Sequence, residues 1–268
     1  MYSSSDHTFV ICGYRENPYI EQTIQSIQKQ TVLGNVLLST STPNAFLQDI
    51  CARYALSMII NPQPSSLGGD WNFGYDSAET PLVTLAHQDD RYEANYLERM
   101  LSTVNDYLEK NQKASLLFSD YYEIRNDQAI RANRLLQVKR IMNAILKYPR
   151  FNRSALIKRR VLSLGCSICC PSVTFVKPML GDSIFNAKLK NSCDYLAWVT
   201  FASRPGNFVY LPEKLMGHRI YEQSATSANL SDNIRRGEDE QILSMLWPKW
   251  IARLINSVYA KSEKSNQL

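Results

Sequence analysis

The sequence predicts an α/β fold with a mostly parallel central sheet flanked by helices. Short apolar runs begin at residues 8, 36, 57, 82 and 114, and each of the first four is followed by a stretch with helical spacing of apolar residues. Strands alternating with helices in this way build right-handed parallel units. The run Leu82-Val-Thr-Leu-Ala86 is apolar on both faces rather than alternating, as a strand covered on both sides requires. With 44% hydrophobic residues among 268, the chain can fill a substantial core.

Taken in order, Thr8 to Tyr14 reads as the first strand. Asn17-Pro18 then supplies an N-cap and a first-turn proline for a helix with Ile20, Ile24 and Ile27 on one face. Val36 to Ser39 is the second strand, Thr42-Pro43 starts a helix with Phe46, Ile50 and Tyr54 inward, and Ser57 to Ile60 is the third strand. A Pro-, Ser- and Gly-rich turn over 61–69 leads into a helix carrying Trp71, Tyr75 and Ala78. The Leu82 strand follows, then a helix with Leu97, Leu101, Val104 and Leu108, then the strand Ala114 to Phe118. Beyond Asp120 the rhythm changes. Glu123 to Arg140 reads as helix and loop over the site, with Arg125, Arg131 and Arg134 in solvent. Cys169 to Val176 reads as a strand entered from a turn, Ser192-Cys-Asp194 as the edge of a helix carrying Tyr195 to Phe201, and Phe208 to Leu211 as a late strand before Pro212. Residues 232–260 are helical in pattern. Their end sets Trp250, Ile251, Leu254, Ile255 and Val258 beside Lys249, Arg253, Lys261 and Lys264, a face that can lie on anionic lipid, although packing on the domain is the commoner fate of such a stripe.

A net charge of +5 indicates no dedicated nucleic-acid surface. No stretch is long and apolar enough to span a bilayer, and the opening residues lack the pattern of a signal peptide, so the expected location is cytoplasmic, with the inner face of the membrane as a further option. The six cysteines read as free thiols. Cys166, Cys169 and Cys170 form a CxxCC cluster, but no second pair follows at zinc-ligand spacing, which favours packing.

The chemistry is concentrated in His87-Gln-Asp89-Asp90, which follows the buried fourth strand. Ligands of α/β sheets bind beyond the carboxyl ends of such strands, and two carboxylates there need a metal or a basic side chain beside them. The alternative is that both acids open the next helix, where negative charge is also favoured.

The order of motifs resembles glycosyltransferase family 2, whose fold is the nucleotide-diphospho-sugar transferase type called GT-A. Phe9 to Tyr14 with Tyr19-Ile20 resembles that family's first strand and helix, and Gly68, Gly69, Trp71-Asn72 and Gly74 the segment before its acidic motif. His87 to Asp90 resembles the DxD-type motif, Pro171-Ser172 the acceptor-side turn, Cys193-Asp194 with Trp198 the ED-type catalytic motif, and Arg219 to Ser224 the closing basic segment. The resemblance implies a GT-A domain over 1–227, with a donor half to about 120 and an acceptor half from about 121, and a helical extension over 228–268. It implies that Asp89 holds Mn²⁺ or Mg²⁺ and that Asp194 is the general base. Gly13, Tyr14, Glu16, Thr40, Asn72, Asp90 and Arg219 would then face a UDP- or dTDP-linked sugar donor, and Pro171, Ser172 and Trp198 a saccharide acceptor. The implied activity is inverting sugar transfer to a glycan, lipid-linked or protein-linked saccharide, in polysaccharide biosynthesis.

Several positions depart from the family pattern. Ser39-Thr-Ser-Thr42 lacks the aspartate that pairs with uracil, His87 replaces the first acid of the motif, Cys193 replaces a glutamate, and Arg219-Ile-Tyr221 stands where many members have Arg-x-His. These departures leave open a binding module on the same fold. A nucleotidyltransferase is disfavoured, because Gly13 to Asn17 is not a glycine-rich basic loop.

Overall fold

The N-terminal alternation folds as its pattern requires. In the computed structural model, which describes residues 1–221 and 233–264, β1 (His7–Gly13), α1 (Ile20–Gln28), β2 (Asn35–Thr40), α2 (Ala45–Tyr54), β3 (Ser57–Ile60), α3 (Leu67–Ser77) and β4 (Leu82–His87) follow one another. Strands β3, β2, β1 and β4 lie side by side in that order, all parallel. Alternate β1 residues serve opposite faces: Phe9 and Ile11 join one core cluster with Ile20, Ile24 and Leu38, while Val10 joins the other with Trp71, Tyr75 and Phe175. Each such fully buried side chain stabilises the fold by about 1.5–3 kcal/mol.

The second half makes the sheet mixed. It comprises β5 (Arg91–Tyr92), α4 (Tyr96–Glu109), β6 (Ala114–Arg125), β7 (Gln128–Ile130), α5 (Arg134–Asn143), α6 (Pro149–Asn152), α7 (Ala155–Leu162), β8 (Val173–Val176), α8 (Lys177–Leu180), α9 (Cys193–Ala202), β9 (Asn207–Arg219), α10 (Asn233–Ser244) and α11 (Lys249–Lys264). The order continues β4-β8-β6-β9-β5, with β8 antiparallel to both neighbours and β6 parallel to β9. No helix among the described residues is long and apolar enough to cross a membrane.

Two elements outrun their sequence pattern. The charged region after Asp120 begins as strand: β6 runs to Arg125 and returns as β7 through Asn126 and Asp127, both left-handed at φ 49° and 58°. Asn and Asp tolerate that conformation in a two-residue hairpin, and helix α5 starts only after the Asn133 cap. Pro212 does not end the late strand. A register shift opposite Ser119 and Asp120 absorbs its missing N–H, and β9 continues to His218 and Arg219.

The boundary expected at 227/228 lies outside the described residues. The helices beyond it share the main core, because Ile242, Leu243 and Ala252 join the cluster of Phe175 and Trp198. Helix α11 packs on the domain through Ala252 and Asn256 and leaves Trp250, Leu254 and Val258 exposed by 70%, 61% and 62%.

Candidate active site

At the end of β4 the chain turns through Gln88, Asp89 and Asp90. Gln88 ties this turn to the end of β1: its amide accepts from the Tyr14 backbone N–H at 2.8 Å and donates to the Tyr14 carbonyl at 3.0 Å. Asp90 is fully buried. Its Oδ1 accepts from His218 Nδ1 at 3.0 Å and from the Arg219 backbone N–H at 2.8 Å, while its Oδ2 has no hydrogen-bond partner. His87 stacks on Trp71 with ring centroids 4.9 Å apart, and its Nε2 is also buried without a partner. Burial pulls the His87 pKa down to about 4, so at neutral pH the ring is uncharged and keeps a lone pair. Burial and the adjacent Asp90 push the Asp89 carboxyl above the ordinary carboxylate range. Burial opposes charge on His218, but Asp90, through its charge and hydrogen bond, and then Asp89 outweigh it, and the His218 pKa rises.

His87, Asp89 and Asp90 each bring a ligating atom within 4.8 Å of the others. The orphaned Asp90 Oδ2, among carboxylate oxygens and a neutral imidazole, fits a divalent cation, which would satisfy it. The position that lacks the family's histidine is filled by Tyr221, whose hydroxyl bonds Asp89 and accepts from Asn17 Nδ2 at 2.9 Å.

Arg219 is tied into the fold by its side chain. Only 3% of it is exposed, and its guanidinium donates to the Asp89 carbonyl, to Asp127 and to Gln22 at 3.0, 2.7 and 2.7 Å, over the face of Tyr19. It therefore fastens the acidic turn. Asn72 exchanges 2.8 Å bonds with both the N–H and the carbonyl of Phe185. Of the remaining strand-end residues, Tyr14 and Glu16 are exposed. Gly13 is buried, and a Cβ there would stand 3.3 Å from Leu38. Thr40 is buried and accepts from the Thr42 N–H at 3.0 Å. Beside the end of β2, Asp70 of α3 accepts from Ser41, Asn61 and Ser65 at 2.9, 2.8 and 2.8 Å.

Asp194 stands in the first turn of α9. Ser192 occupies the N-cap position, so Asp194 is not the helix cap that a bare reading of the sequence allows. Its Oδ1 accepts from the Tyr195 N–H at 2.7 Å, and Cys166 Sγ lies 3.9 Å from Oδ2. Burial raises the Asp194 pKa, outweighing the Tyr195 N–H and the positive charges of Arg235 and Lys139. Burial, and then the charges of Asp90 and Asp194, push the half-buried Cys169 thiol well above its ordinary range. All six cysteines are free, and the CxxCC thiols pack against the core, Cys166 and Cys170 on one cluster and Cys169 on the other. Lys139, from the inner face of α5, reaches the same region with Nζ 3.1 Å from the Tyr121 hydroxyl.

The loop ahead of Asp194 is seated by α10. Glu238 accepts the backbone N–H groups of Lys190, Asn191 and Ser192 at 2.7, 3.0 and 2.9 Å, and Asp239 accepts the Ser192 hydroxyl at 2.7 Å. On the expected acceptor side, the Pro171 and Ser172 carbonyls accept from the Tyr92 and Tyr96 hydroxyls at 2.8 and 3.2 Å, which fixes the turn that carries Cys169. Trp198 is 0% exposed and stacks on Phe175 with centroids 5.7 Å apart. It backs α9 from within the core and presents no face to an acceptor.

Comparison with known proteins agrees with this fold. S. aureus TarS 1–349 superposes with a TM-score of 0.63 at 14% identity, over 88% of this chain and 64% of that one, so the chain spans a little under two thirds of that segment and 42% of the chain in the longer TarS structure. The Pyrobaculum calidifontis mannosyltransferase PcManGT, in complex with GDP-Man and Mn²⁺, gives 0.61 at 10% identity, over 98% and 76%. The Mycobacterium tuberculosis glucosyl-3-phosphoglycerate synthase, in complex with Mn²⁺, UDP-glucose and phosphoglyceric acid, gives 0.55 at 12%, over 89% and 78%. No curated protein sequence matches the chain. The model of the family described as glycosyl transferase family 2 matches residues 8–174, well over half of the sequence, and on that match the chain belongs to glycosyltransferase family 2.

Proposed function

We propose that the protein moves one sugar from a nucleotide diphosphate donor to a hydroxyl of a glycan, lipid-linked or protein-linked saccharide, inverting the anomeric centre. The observation that carries this reading is the cluster of His87, Asp89 and Asp90 at the end of β4, whose ligating atoms lie within 4.8 Å of one another. A divalent cation, Mn²⁺ or Mg²⁺, held by Asp89 with Asp90 and His87, would neutralise the charge that develops on the departing diphosphate. The chain's own residues do the rest. Arg219 and His218 hold the acidic turn, while Gly13, Tyr14, Glu16 and Thr40 border the nucleotide. Asp194, with its raised pKa, takes the proton from the acceptor hydroxyl as that oxygen attacks opposite the diphosphate. The turn at Pro171-Ser172 borders the acceptor.

The PcManGT and phosphoglycerate synthase complexes hold Mn²⁺ with a GDP- or UDP-linked sugar, which supports both the donor class and the metal. The base-recognition aspartate is absent here, so the panel extends beyond UDP- and dTDP-linked donors to GDP-linked ones. A role in polysaccharide biosynthesis at the cytoplasmic side, with the exposed stripe of α11 in peripheral contact with the membrane, completes the reading. The experiment is hydrolysis of a panel of UDP-, dTDP- and GDP-sugars by the full chain with and without Mn²⁺. One donor losing its sugar to water only with the metal supports transfer. Donor binding without release of any sugar would favour the binding-module alternative.

A further inference from the structure

The basic residues of this protein are unevenly placed. Residues 131–165 contain ten Lys and Arg and no Asp or Glu. Lys139, Arg140 and Lys158 of this set point inward, to Tyr121, to Asp120 and to the carbonyls of Arg204 and Gly206. Arg134, Lys147, Arg150 and Arg153 are exposed, and none is in an ion pair among the described residues. Large apolar side chains stand out among them: Ile141 is 76% exposed, Leu156 73%, Tyr148 54% and Val138 47%.

Helix α5 shows the division within one element. Leu136, Lys139, Arg140 and Asn143 form its inner face, whereas Arg134, Val138 and Ile141 share the opposite one at helical spacing. An outward face that mixes isoleucine with arginine is not the ordinary solvated surface of a helix, which is polar throughout. The same surface continues to α11. Arg160 lies over the Trp247 ring at 4.6 Å, Trp247 Nε1 donates to the Ser163 carbonyl at 2.8 Å, and Tyr259 packs over Gly165 beside the 53%-exposed Leu164.

We infer that the α5–α7 face is a docking surface for an anionic lipid bilayer, with Arg134, Lys147, Arg150 and Arg153 at the headgroups and Ile141, Tyr148 and Leu156 in the acyl boundary. A soluble anionic polymer would use the cations but would leave exposed isoleucine and leucine unexplained; a lipid interface uses both. The docking is a property of this surface alone and holds whether or not the chain turns over a donor. Helix α5 would then separate the bilayer from the side of the site occupied by Lys139.

The test is sedimentation of the full chain with vesicles of phosphatidylcholine alone or of phosphatidylcholine containing phosphatidylglycerol, with circular dichroism to verify folding. The chain should pellet with the anionic vesicles and stay in solution with the neutral ones. Ile141→Ser combined with Leu156→Ser, and separately Arg150→Glu combined with Arg153→Glu, should each reduce the bound fraction roughly tenfold. Trp250→Ser, which touches only the α11 stripe, should leave most of the binding. Failure to pellet with anionic vesicles overturns the inference. So does pelleting that both double variants retain, and so does binding that soluble polyphosphate displaces and that the Ile141/Leu156 variant leaves unchanged.

Discussion

His218 Nδ1 lies 3.0 Å from Asp90 Oδ1, the same oxygen that takes the Arg219 backbone N–H, so the end of β9 holds one oxygen of the acidic turn while the other, Oδ2, lies 3.9 Å from His87 Nδ1. That arrangement makes β9 responsible for the orientation of a carboxylate more than a hundred residues earlier in the chain. His218→Ala leaves Asp90 Oδ1 with a single donor and should cost about 2 kcal/mol, the scale of a hydrogen bond to a charged group. Urea denaturation measures it, and an unchanged midpoint would show that the pair contributes nothing to stability.

Asp89→Ala should abolish metal-dependent donor binding. Calorimetric titration of the donor with and without Mn²⁺ reads this directly. If affinity and its Mn²⁺ dependence both survive the substitution, Asp89 does not hold the cation.

Asp194→Asn keeps the shape and the contact with Tyr195 but cannot accept a proton. Turnover should fall by about 10²-fold or more while donor affinity stays close to wild type. Because burial raises the Asp194 pKa, the base is lost to protonation earlier on acidification than an ordinary carboxylate would be, so the acid limb of the rate profile should lie above the usual carboxylate range. A wild-type rate in the variant, or an acid limb at the ordinary value, argues against this role.

Glu238 is 8% exposed and collects three backbone N–H groups ahead of Asp194. Glu238→Ala should lower the melting temperature and slow turnover, with the acid limb of the rate profile unmoved, since the proton acceptor is unchanged. Stability equal to wild type would mean that water replaces the carboxylate at no cost.

His7 provides a pH signature away from the site. Its ring is buried, with Nε2 2.8 Å from Thr84 Oγ1 and Nδ1 unpaired, and burial pulls its pKa from 6.5 down to about 3. Between those values the unfolded chain binds a proton that the folded one does not. Stability is therefore full above pH 6.5 and declines below it, by roughly 3 kcal/mol at pH 4. His7→Phe, which keeps a ring against Phe9, should flatten that part of the profile in chemical denaturation at stepped pH. An identical slope in wild type and variant would assign the loss to other groups.

Much of this was legible in the chain. The βα alternation up to β4 could be read because each apolar run is short and each helix keeps its 3.6 period, and the acidic turn could be located because it follows the most apolar strand. Contacts between distant segments were not legible. Asp90 is joined to His218, and Ser192 to Asp239, by bonds across 128 and 47 residues, which no local pattern encodes. Arg219, Asn72 and Trp198 show the same limit: a residue type that suits a ligand suits an internal partner equally well, and only packing shows the internal one. The β6–β7 hairpin had a signal, the Asn126-Asp127 pair, which the surrounding charge obscured.

Glu238 follows the loop it seats by nearly fifty residues, 48 from Lys190. During synthesis both acidic motifs have therefore left the ribosome before the clamp that fixes the second one exists. A growing chain cannot assemble a working centre early, and a cut between 219 and 233 that released the later helices would silence the enzyme while leaving every acidic side chain of the centre in place.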